Sequence, residues 1–397
     1  MKFLNLAVFA ATTAFAAPQI GTQVESSKRT LYFLDSDPKG ASIVAIPIGE
    51  DGRLQSMNAT GVVRTPTGGR GGIGMGMNGT VSVDPLFSQD SVVVKGSRLF
   101  TVNAGNNTLS RFYIPQNDPL HPKLVGKPVA TGGEFPNTVA YSEKNQLACV
   151  ANTGKKAGVQ CFRVPECDQL EPVGDFMPLP INQTSPPMGP ANTVSDIVFN
   201  PSESALFVSV KGDGMGKGYL YAYRVNKGEV DPKPIISRPE ELRLDFSLSF
   251  LSDSDAVITD PAYGASRLSI SPDLSVSVTN NVTIPGQTAT CWSVYSPEFQ
   301  AVYVFDGASP NVTALSPETG DIKFVVPGEQ RGMGSFDAVA ERSWLYVLQA
   351  SPAIAVFDLK ASEGDKAMPR ITQYLDLASL GNGTDRSSWI GLAVYSG

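Results

Sequence analysis

A two-strand pattern recurs seven times along this chain and constrains its fold more than any other feature. The clearest copy spans residues 99–114, LFTVNAGNNTLSRFYI, in which an apolar run meets a polar, glycine-containing turn and a second alternating run follows. Runs of this kind around an Asn/Gly turn are typical of a β-hairpin. The copies start 44 to 68 residues apart, at Leu31, Leu99, Leu147, Leu206, Ala256, Ala301 and Leu345.

A further short strand pattern precedes each hairpin except the first, for which the C-terminus offers a spare strand at residues 390–395. Sheets of this size at this spacing are typical of propeller blades. If the last strand pairs into the first blade, the ring closes and no sheet edge stays exposed. We therefore predict an all-β, seven-bladed β-propeller closed by its C-terminal strand, with six or eight blades as the alternatives.

The N-terminus has the pattern of a secretory signal. Lys2 precedes an apolar stretch at residues 3–11, and Ala14 and Ala16 form an A-x-A cleavage site. Cleavage after Ala16 would leave residues 17–397 as a single propeller domain. Since no other stretch approaches about 20 apolar residues, we expect no membrane span. The sequence thus predicts an exported monomer, extracellular or in the cell wall.

N-glycosylation sequons support export, because a chain of this size would carry fewer by chance. The acceptor positions are Asn58, Asn78, Asn106, Asn182, Asn281, Asn311 and Asn382.

Three of the four cysteines lie close together in the sequence and predict one disulfide. Cys149 and Cys161 flank a hairpin loop, and Cys167 lies six residues further on, so the pairing within this group stays open. The chain has no C-x-x-C motif and a single histidine, and we therefore expect no metal site and no cofactor.

The formal net charge is −7, and no run of Lys or Arg exceeds two residues. Nucleic-acid binding requires a basic face, so we exclude it as a function.

The channel mouth is the expected ligand site, because the loops leading into the inner strands and the hairpin turns surround it. Aligning the blades places one residue of each inner strand there, and this alignment is uncertain by one or two residues. The positions are Gln89, Asn137, Asp196, Phe246, Cys291, Ser335 and Gly391. The hairpin turns add Asp35, Asn103, Asn152, Lys211, Asp260, Asp306 and Gln349. Tight turns also favour such residues. From this ring we take Asn103, Asn137 and Asp306 as ligand-binding candidates.

Charged residues on the loops around this mouth are the catalytic candidates. Arg331 and Arg70 each directly precede a glycine on a glycine-rich loop, from which a guanidinium could bind a carboxylate or phosphate. Glu134 and Asp196 could pair with these arginines or act as a base. Arg386 is a third rim arginine and a further ligand-binding candidate. The alternative for each is an ordinary solvated loop charge.

The single histidine, His121, lies beyond the third strand of the second blade, where we expect it on the outer rim. Catalysis by a histidine base or a Ser-His-Asp triad is therefore poorly supported.

A glycine-rich stretch, residues 66–87, is the longest irregular segment. Long loops in compact domains are usually functional or disordered, and both interpretations stay open.

The hairpins FTVNAGNNTLSRFYI and CVANTGKKAGVQCF resemble those of the lactonase-type seven-bladed propellers, which include phosphogluconolactonase and carboxymuconate cyclase. With its signal and sequons, the chain is most similar to secreted fungal glycoproteins of the carboxymuconate cyclase type. The resemblance implies histidine, arginine and glutamate at the channel mouth, where they bind an acidic substrate and move a proton. In this chain Asn137 follows Pro136 where relatives often have Pro-His.

Two hypotheses of function follow. The first is a secreted or wall-associated, adhesin-like binding glycoprotein, whose partner is extracellular matrix, a wall polymer or a small acidic ligand. The second is a lactonase or cycloisomerase acting on an acidic lactone, with Arg331 and Arg70 binding substrate and Glu134 or Asp196 as base.

Overall fold

The computed structural model describes residues 28–55, 62–213, 216–360, 362–363, 366–378 and 386–397. The predicted signal peptide and the sequons at Asn58 and Asn382 lie outside these residues, and the cleavage site stays a prediction.

Seven antiparallel sheets form a β-propeller, which confirms the predicted fold class. From the innermost strand outward, blade 1 consists of Trp389–Tyr395, Arg29–Asp35, Ser42–Ile48 and Val63–Pro66, and blade 2 of Val92–Lys95, Arg98–Asn103, Thr108–Tyr113, Lys123–Leu124 and Val129–Ala130. In the same order, blade 3 consists of Pro136–Ser142, Leu147–Asn152, Gly158–Arg163 and Glu171–Pro178, and blade 4 of Val194–Phe199, Ala205–Val210, Tyr219–Asn226, Glu229–Val230 and Ile235–Ser237. Blade 5 consists of Leu248–Phe250, Asp255–Asp260, Gly264–Ile270 and Val276–Thr283.

Blade 6 consists of Thr290–Ser296, Ala301–Asp306, Ser309–Leu315 and Ile322–Val326, and blade 7 of Ser335–Glu341, Trp344–Gln349, Ala353–Asp358 and Arg370–Asp376. Two small sheets lie outside the blades: Met75–Gly76 pairs with Met188–Gly189, and Ser362–Glu363 pairs with Lys366–Ala367. Short 3-10 helices occupy Gln330–Gly332 and Arg386–Ser388. No helix in the described part of the chain is long and apolar enough to cross a bilayer.

The C-terminal strand closes the ring, as predicted. Trp389–Tyr395 pairs antiparallel with Arg29–Asp35, and the register places Thr30 opposite Tyr395. The pairing shifts at a bulge next to Gly391, whose φ of +76° favours glycine. Because this strand comes from the end of the chain, both termini of the propeller are held in one sheet.

The seam between blades 7 and 1 carries polar contacts as well as apolar ones. Arg29 of blade 1 forms a buried ion pair with Glu341 of blade 7. Gln373 binds the backbone of Leu54 through both ends of its side-chain amide, at 2.7 and 2.8 Å. These contacts join blade 7 to strands near the other end of the chain.

The core consists of apolar side chains packed between neighbouring blades. Phe207 of blade 4 and Leu268 of blade 5 are fully buried in one such layer, and Trp292 of blade 6 is buried against Phe246 and Phe336. Burial of each side chain of this size stabilises the fold by about 1.5–3 kcal/mol. The alternation seen in the sequence thus serves packing between blades.

The predicted disulfide joins Cys149 to Cys161, which face each other on adjacent strands of blade 3. Cys167 is exposed and unbonded, and Cys291 is a buried free thiol. A disulfide is typical of proteins in an oxidising compartment.

Candidate functional site

The chain itself fills the channel mouth. We define the strap face as the face on which the inner strands begin, the strap as residues 70–83 and the plug as residues 84–90. The plug is held by three blades: Asn137 of blade 3 donates a hydrogen bond to the Leu86 carbonyl at 3.2 Å, and Lys211 at the end of blade 4 donates to the Phe87 carbonyl at 2.7 Å. Trp292 of blade 6 donates to the Ser88 carbonyl at 3.2 Å.

Gln89 completes this crossing. Its backbone N–H donates to the Ser195 carbonyl of blade 4 at 2.9 Å, and its side-chain oxygen accepts from the Ser293 N–H of blade 6 at 3.1 Å. Since blade 6 lies across the axis from the neighbouring blades 3 and 4, the plug spans the mouth where a ligand was predicted. The glycine-rich segment is therefore a structural closure of the channel.

Two glycines allow this closure. The Phe87 ring lies 2.3 Å from the position that a Cβ on Gly74 would take, and 2.8 Å from that on Gly189. Gly189 belongs to the strand that pairs with the strap at Met75–Gly76. A larger residue at either position would push the Phe87 ring out of its place.

Arg386 secures the other side of the strap. Its guanidinium donates to the carbonyls of Gln349 at 2.5 Å, Trp389 at 3.0 Å and, at a long 3.5 Å, Val83 of the strap. The guanidinium also lies 5.1 Å from the ring centre of Phe336. This predicted ligand-binding arginine therefore binds the chain's own backbone.

At the inner side of the plug, three aspartates lie at or near the start of inner strands: Asp90, the last residue of the plug, and Asp196 and Asp337 of blades 4 and 7. Burial raises the pKa of Asp90 to about 7. Burial, and next the nearby charge of Asp90, raise the pKa of Asp196 and of Asp337 well above the usual value. We call these residues the aspartate cluster.

The aspartate cluster is only partly satisfied by hydrogen bonds. Asp196 Oδ2 accepts from the Leu248 N–H at 2.9 Å, and Asp337 Oδ1 accepts from the Ala338 N–H at 2.8 Å. The second oxygens, Asp196 Oδ1 and Asp337 Oδ2, are buried without a hydrogen-bond partner among the described residues. Asp90 and Asp337 also adopt left-handed φ values of +57° and +69°, which cost free energy and often occur at functional sites.

Lys211 and Asp84 form a second buried group at the plug. Burial lowers the pKa of Lys211 to about 8, and burial raises the pKa of Asp84 to about 6. Asp84 caps the plug by accepting from the N–H groups of Leu86 and Phe87, at 3.3 and 2.9 Å. Asp245, whose carboxylate has no hydrogen-bond partner among the described residues, has a pKa raised by burial.

The catalytic candidates on the loops do not converge. The exposed Arg331 pairs with Glu329 at 2.5 Å and lies 3.9 Å from the Tyr374 ring centre. Glu134 accepts a hydrogen bond from Ser185 at 2.6 Å, and Arg70 is exposed on the strap. Within the described residues no ion pair joins either arginine to Glu134 or to Asp196, which lies buried beneath the plug.

Three of the predicted ligand-binding residues have structural roles. Asn103 is fully buried and donates to Thr108 and Ser110, at 3.0 and 2.8 Å. The Asp306 carboxylate accepts three backbone N–H groups at 2.7 to 3.0 Å, which orders its own turn and the loop entering blade 6. Asn137 binds the plug.

Most of the described sequons are accessible. Asn78, Asn106, Asn182 and Asn281 are exposed. Asn311 is half-buried, and its side-chain oxygen accepts from the Gly328 N–H at 3.1 Å. Their use stays a prediction.

The structure brings no group of three or more His, Cys, Asp or Glu side chains together for a metal, within the residues it describes.

The sequence analysis missed Asp90 and Asp337. It placed Gln89 and Ser335 at this level of the channel instead, which are one and two residues away. The sequence does contain a pattern that identifies the two aspartates. Asp90, Asn137, Asp196 and Asp337 each stand two residues before a valine of an inner strand. Bulges at the start of the inner strands shift the alignment, as in blade 7 between Ser335 and Ala338.

Comparisons with known proteins give a fold but no family. No family model and no curated protein matches the chain. Among solved structures, the chain is similar to a candidate 6-phosphogluconolactonase from Bacteroides fragilis, with a TM-score of 0.62 and 12% identity over 94% of this chain and 99% of the other.

Two further structures show the same likeness. A periplasmic gluconolactonase from Pseudomonas aeruginosa matches with a TM-score of 0.62 and 13% identity, over 92% of this chain and 99% of that one. A hypothetical selenium-binding protein from Sulfolobus tokodaii matches with a TM-score of 0.63 and 12% identity, over 96% of both chains. At these identities the likeness concerns the fold alone, and the chain has the fold of the lactonase-type seven-bladed propellers.

Proposed function

We propose that this chain is an exported, N-glycosylated binding protein that engages an extracellular-matrix or wall polymer through its strap face. The observation that carries the proposal is the plug. It occupies the channel mouth at which the resemblance to lactonases implies a substrate. Lys211 binds the backbone of the plug, and Arg386 binds that of the adjoining strap. The Cys149–Cys161 disulfide supports an exported location.

The strap face has the chemistry of a binding surface. Met77, Val81 and Val83 of the strap are 68%, 56% and 53% exposed, and Met333 on the loop before blade 7 is 59% exposed. Clustered exposed apolar side chains in a folded protein often mark an interaction site. The exposed arginines of this face, Arg70 and Arg331, suit a partner that carries acidic groups.

Binding of the purified protein to immobilised matrix proteins and wall polysaccharides tests this proposal. We expect saturable binding that the triple variant Met77→Ser, Val81→Ser, Val83→Ser weakens at least about tenfold, since each buried apolar group contributes on the order of 1 kcal/mol. The matched control replaces exposed apolar residues elsewhere, Tyr113→Ser, Ile236→Ser and Val325→Ser, and should bind as the unmodified protein does. Equal weakening in both variants would contradict a specific strap surface.

A glycan at Asn78 would lie within this surface, because Asn78 follows Met77 directly and is exposed. The variant Asn78→Gln separates the two contributions. Stronger binding than the glycosylated protein shows would mean that the glycan shields the strap, whereas weaker binding would mean that the partner recognises the glycan.

A second candidate function is a lactonase or cycloisomerase, as the lactonase-type fold suggests. The observation in its favour is the aspartate cluster, since a carboxyl group whose pKa lies near 7 can act as a general acid or base near neutral pH. This activity requires the plug to leave the mouth. Ring opening of gluconolactone and carboxymuconolactone, followed by acid release, compares the protein with the paired variant Arg331→Ala, Arg70→Ala. Activity that the pair abolishes would replace the binding proposal.

A further inference from the structure

Below the aspartate cluster, the channel opens on the face opposite the strap. The inner strands of blades 2, 3 and 4 line a cavity of about 200 Å³ there. Its walls are mainly apolar and include Val93, Val139, Val198 and Phe199. At its rim Lys95 of blade 2 forms an ion pair with Glu203 of blade 4. Because the plug closes the other end, this cavity is blind.

Asp90 forms the inner end of the cavity. It is half-buried although it lies deep in the channel, so its carboxylate faces the cavity space. The backbone carbonyl of Asp90 accepts from the Val139 N–H at 2.9 Å, but its carboxylate accepts no hydrogen bond from a described residue. The hydrogen bond from Val139 thus fixes the backbone of Asp90, and the Asp90 carboxylate is left available for a ligand.

The described groups beside Asp90 provide no positive charge that would neutralise its carboxylate. The unpartnered oxygens of Asp196 and Asp337 are fully buried within electrostatic range of Asp90. The nearby cations are used elsewhere: Lys211 binds the plug, and Lys95 binds Glu203. A largely buried carboxylate without a partner is costly, and a cationic group in the cavity would satisfy that of Asp90.

We propose that this cavity binds a small organic cation, a protonated amine on a short apolar chain, with its ammonium group at Asp90 and its chain along Val93, Val139 and Val198. An ammonium group donates hydrogen bonds, and the Asp90 carboxylate at the inner end of the cavity can accept them. An anionic ligand would be repelled by the ionised Asp90 carboxylate. This site lies on the face opposite the strap, so it goes beyond the proposed function and can fail or succeed independently of it.

The geometry favours an amine over a metal ion. No three carboxylate, thiol or imidazole groups of the described chain are arranged as ligands, whereas a divalent cation needs several oxygen ligands close together. The apolar walls also suit an alkyl chain better than a hydrated ion. A volume of about 200 Å³ limits the ligand to a small molecule.

Isothermal titration calorimetry of the purified full-length protein at neutral pH tests the site with n-hexylamine, 1-hexanol and hexanoate as probes. We expect saturable binding of the amine at one site, weaker binding of the alcohol and none of the carboxylate. Asp90→Asn should weaken amine binding at least about tenfold, because a charge-assisted hydrogen bond is lost. The matched control Asp321→Asn removes an exposed carboxylate from a turn of blade 6 and should leave binding unchanged.

A second variant keeps the carboxylate and fills the cavity. Val198→Trp should abolish amine binding while circular dichroism shows an intact fold, and Asp90→Asn should pass the same fold check. Equal affinity of Asp90→Asn and the unmodified protein would overturn the proposal. So would equal binding of hexanol and hexylamine, binding of hexanoate, or displacement of the amine by millimolar calcium, which would indicate a metal site instead.

Discussion

The Lys211 ammonium donates a hydrogen bond to the backbone carbonyl of Phe87 at 2.7 Å, across 124 residues of sequence. Both residues are buried, and the ammonium also lies 4.4 Å from the ring centre of Phe246. A lysine at the channel mouth would ordinarily attract an anionic ligand. In this protein the chain supplies the acceptor itself, and the cation holds the plug in place.

Removing this cation should loosen the plug. Lys211→Met leaves the Phe87 carbonyl unpaired, and we expect the free energy of unfolding to fall by about 1–3 kcal/mol. Hydrogen exchange followed by mass spectrometry should show faster exchange in residues 84–90. The control Lys39→Met changes an exposed lysine in the first hairpin turn. Unchanged exchange in the plug would show that Lys211 does not hold it.

The buried carboxylates make stability depend on pH. Burial raises the pKa of Asp90 to about 7 and that of Asp84 to about 6, whereas an aspartate in an unfolded chain titrates near about 4. At pH values between about 4 and 7 the folded state binds more protons than the unfolded state. The free energy of unfolding therefore falls as pH rises through this range.

We therefore expect Tm to be lower at about pH 7.5 than at about pH 5, and the difference to be smaller in Asp90→Asn. Thermal unfolding followed by circular dichroism at both pH values measures it. Asp321→Asn, on an exposed turn, serves as control and should keep the full difference. A Tm that rises over this range would mean that Asp90 is ionised in the fold.

The disulfide should contribute measurably to stability. The Cys149–Cys161 bond closes a loop of 12 residues, and loss of such a cross-link costs about 2–4 kcal/mol. We expect the double variant Cys149→Ala, Cys161→Ala to unfold at correspondingly lower denaturant concentration. Cys167→Ser, which removes the exposed free thiol, should unfold as the unmodified protein does. A destabilised Cys167→Ser variant would point to a different pairing in solution.

The seam between blades 7 and 1 depends on the Arg29–Glu341 ion pair. Glu341→Ala leaves the largely buried Arg29 guanidinium without this partner, and we expect the free energy of unfolding to fall by about 3–5 kcal/mol. The double variant Arg29→Met, Glu341→Leu removes both charges and should be more stable than Glu341→Ala. Denaturant unfolding compares the three proteins. A double variant that is less stable than Glu341→Ala would show that Arg29 has a role beyond the pair.

Much of the architecture was predictable from the sequence. Residues 99–114 supplied the hairpin template, and the spare strand at residues 390–395 predicted ring closure, because strand alternation and turn chemistry are local properties. The disulfide was confined to three cysteines, of which Cys149 and Cys161 proved to be directly opposite in register.

The site was harder to predict. Asn103 and Asp306 have turn roles that the sequence also allowed, but nothing local showed that Arg386 binds backbone carbonyls. Of the inner-strand aspartates the sequence analysis named Asp196, but it missed Asp90 and Asp337 by one and two residues, since bulges shift the register at that level.

The sequence by itself determined the strand pattern of the blades and their order, and it predicted seven blades and the closure of the ring, since each hairpin encodes its own alternation and turn. Only the tertiary structure decided that residues 84–90 cross the channel mouth, where they meet Asn137, Lys211 and Trp292. The tertiary structure also brought Asp90, Asp196 and Asp337 together from blades 2, 4 and 7. These contacts join segments far apart in the chain, and they exist only because the closed ring brings the starts of all inner strands to one axis.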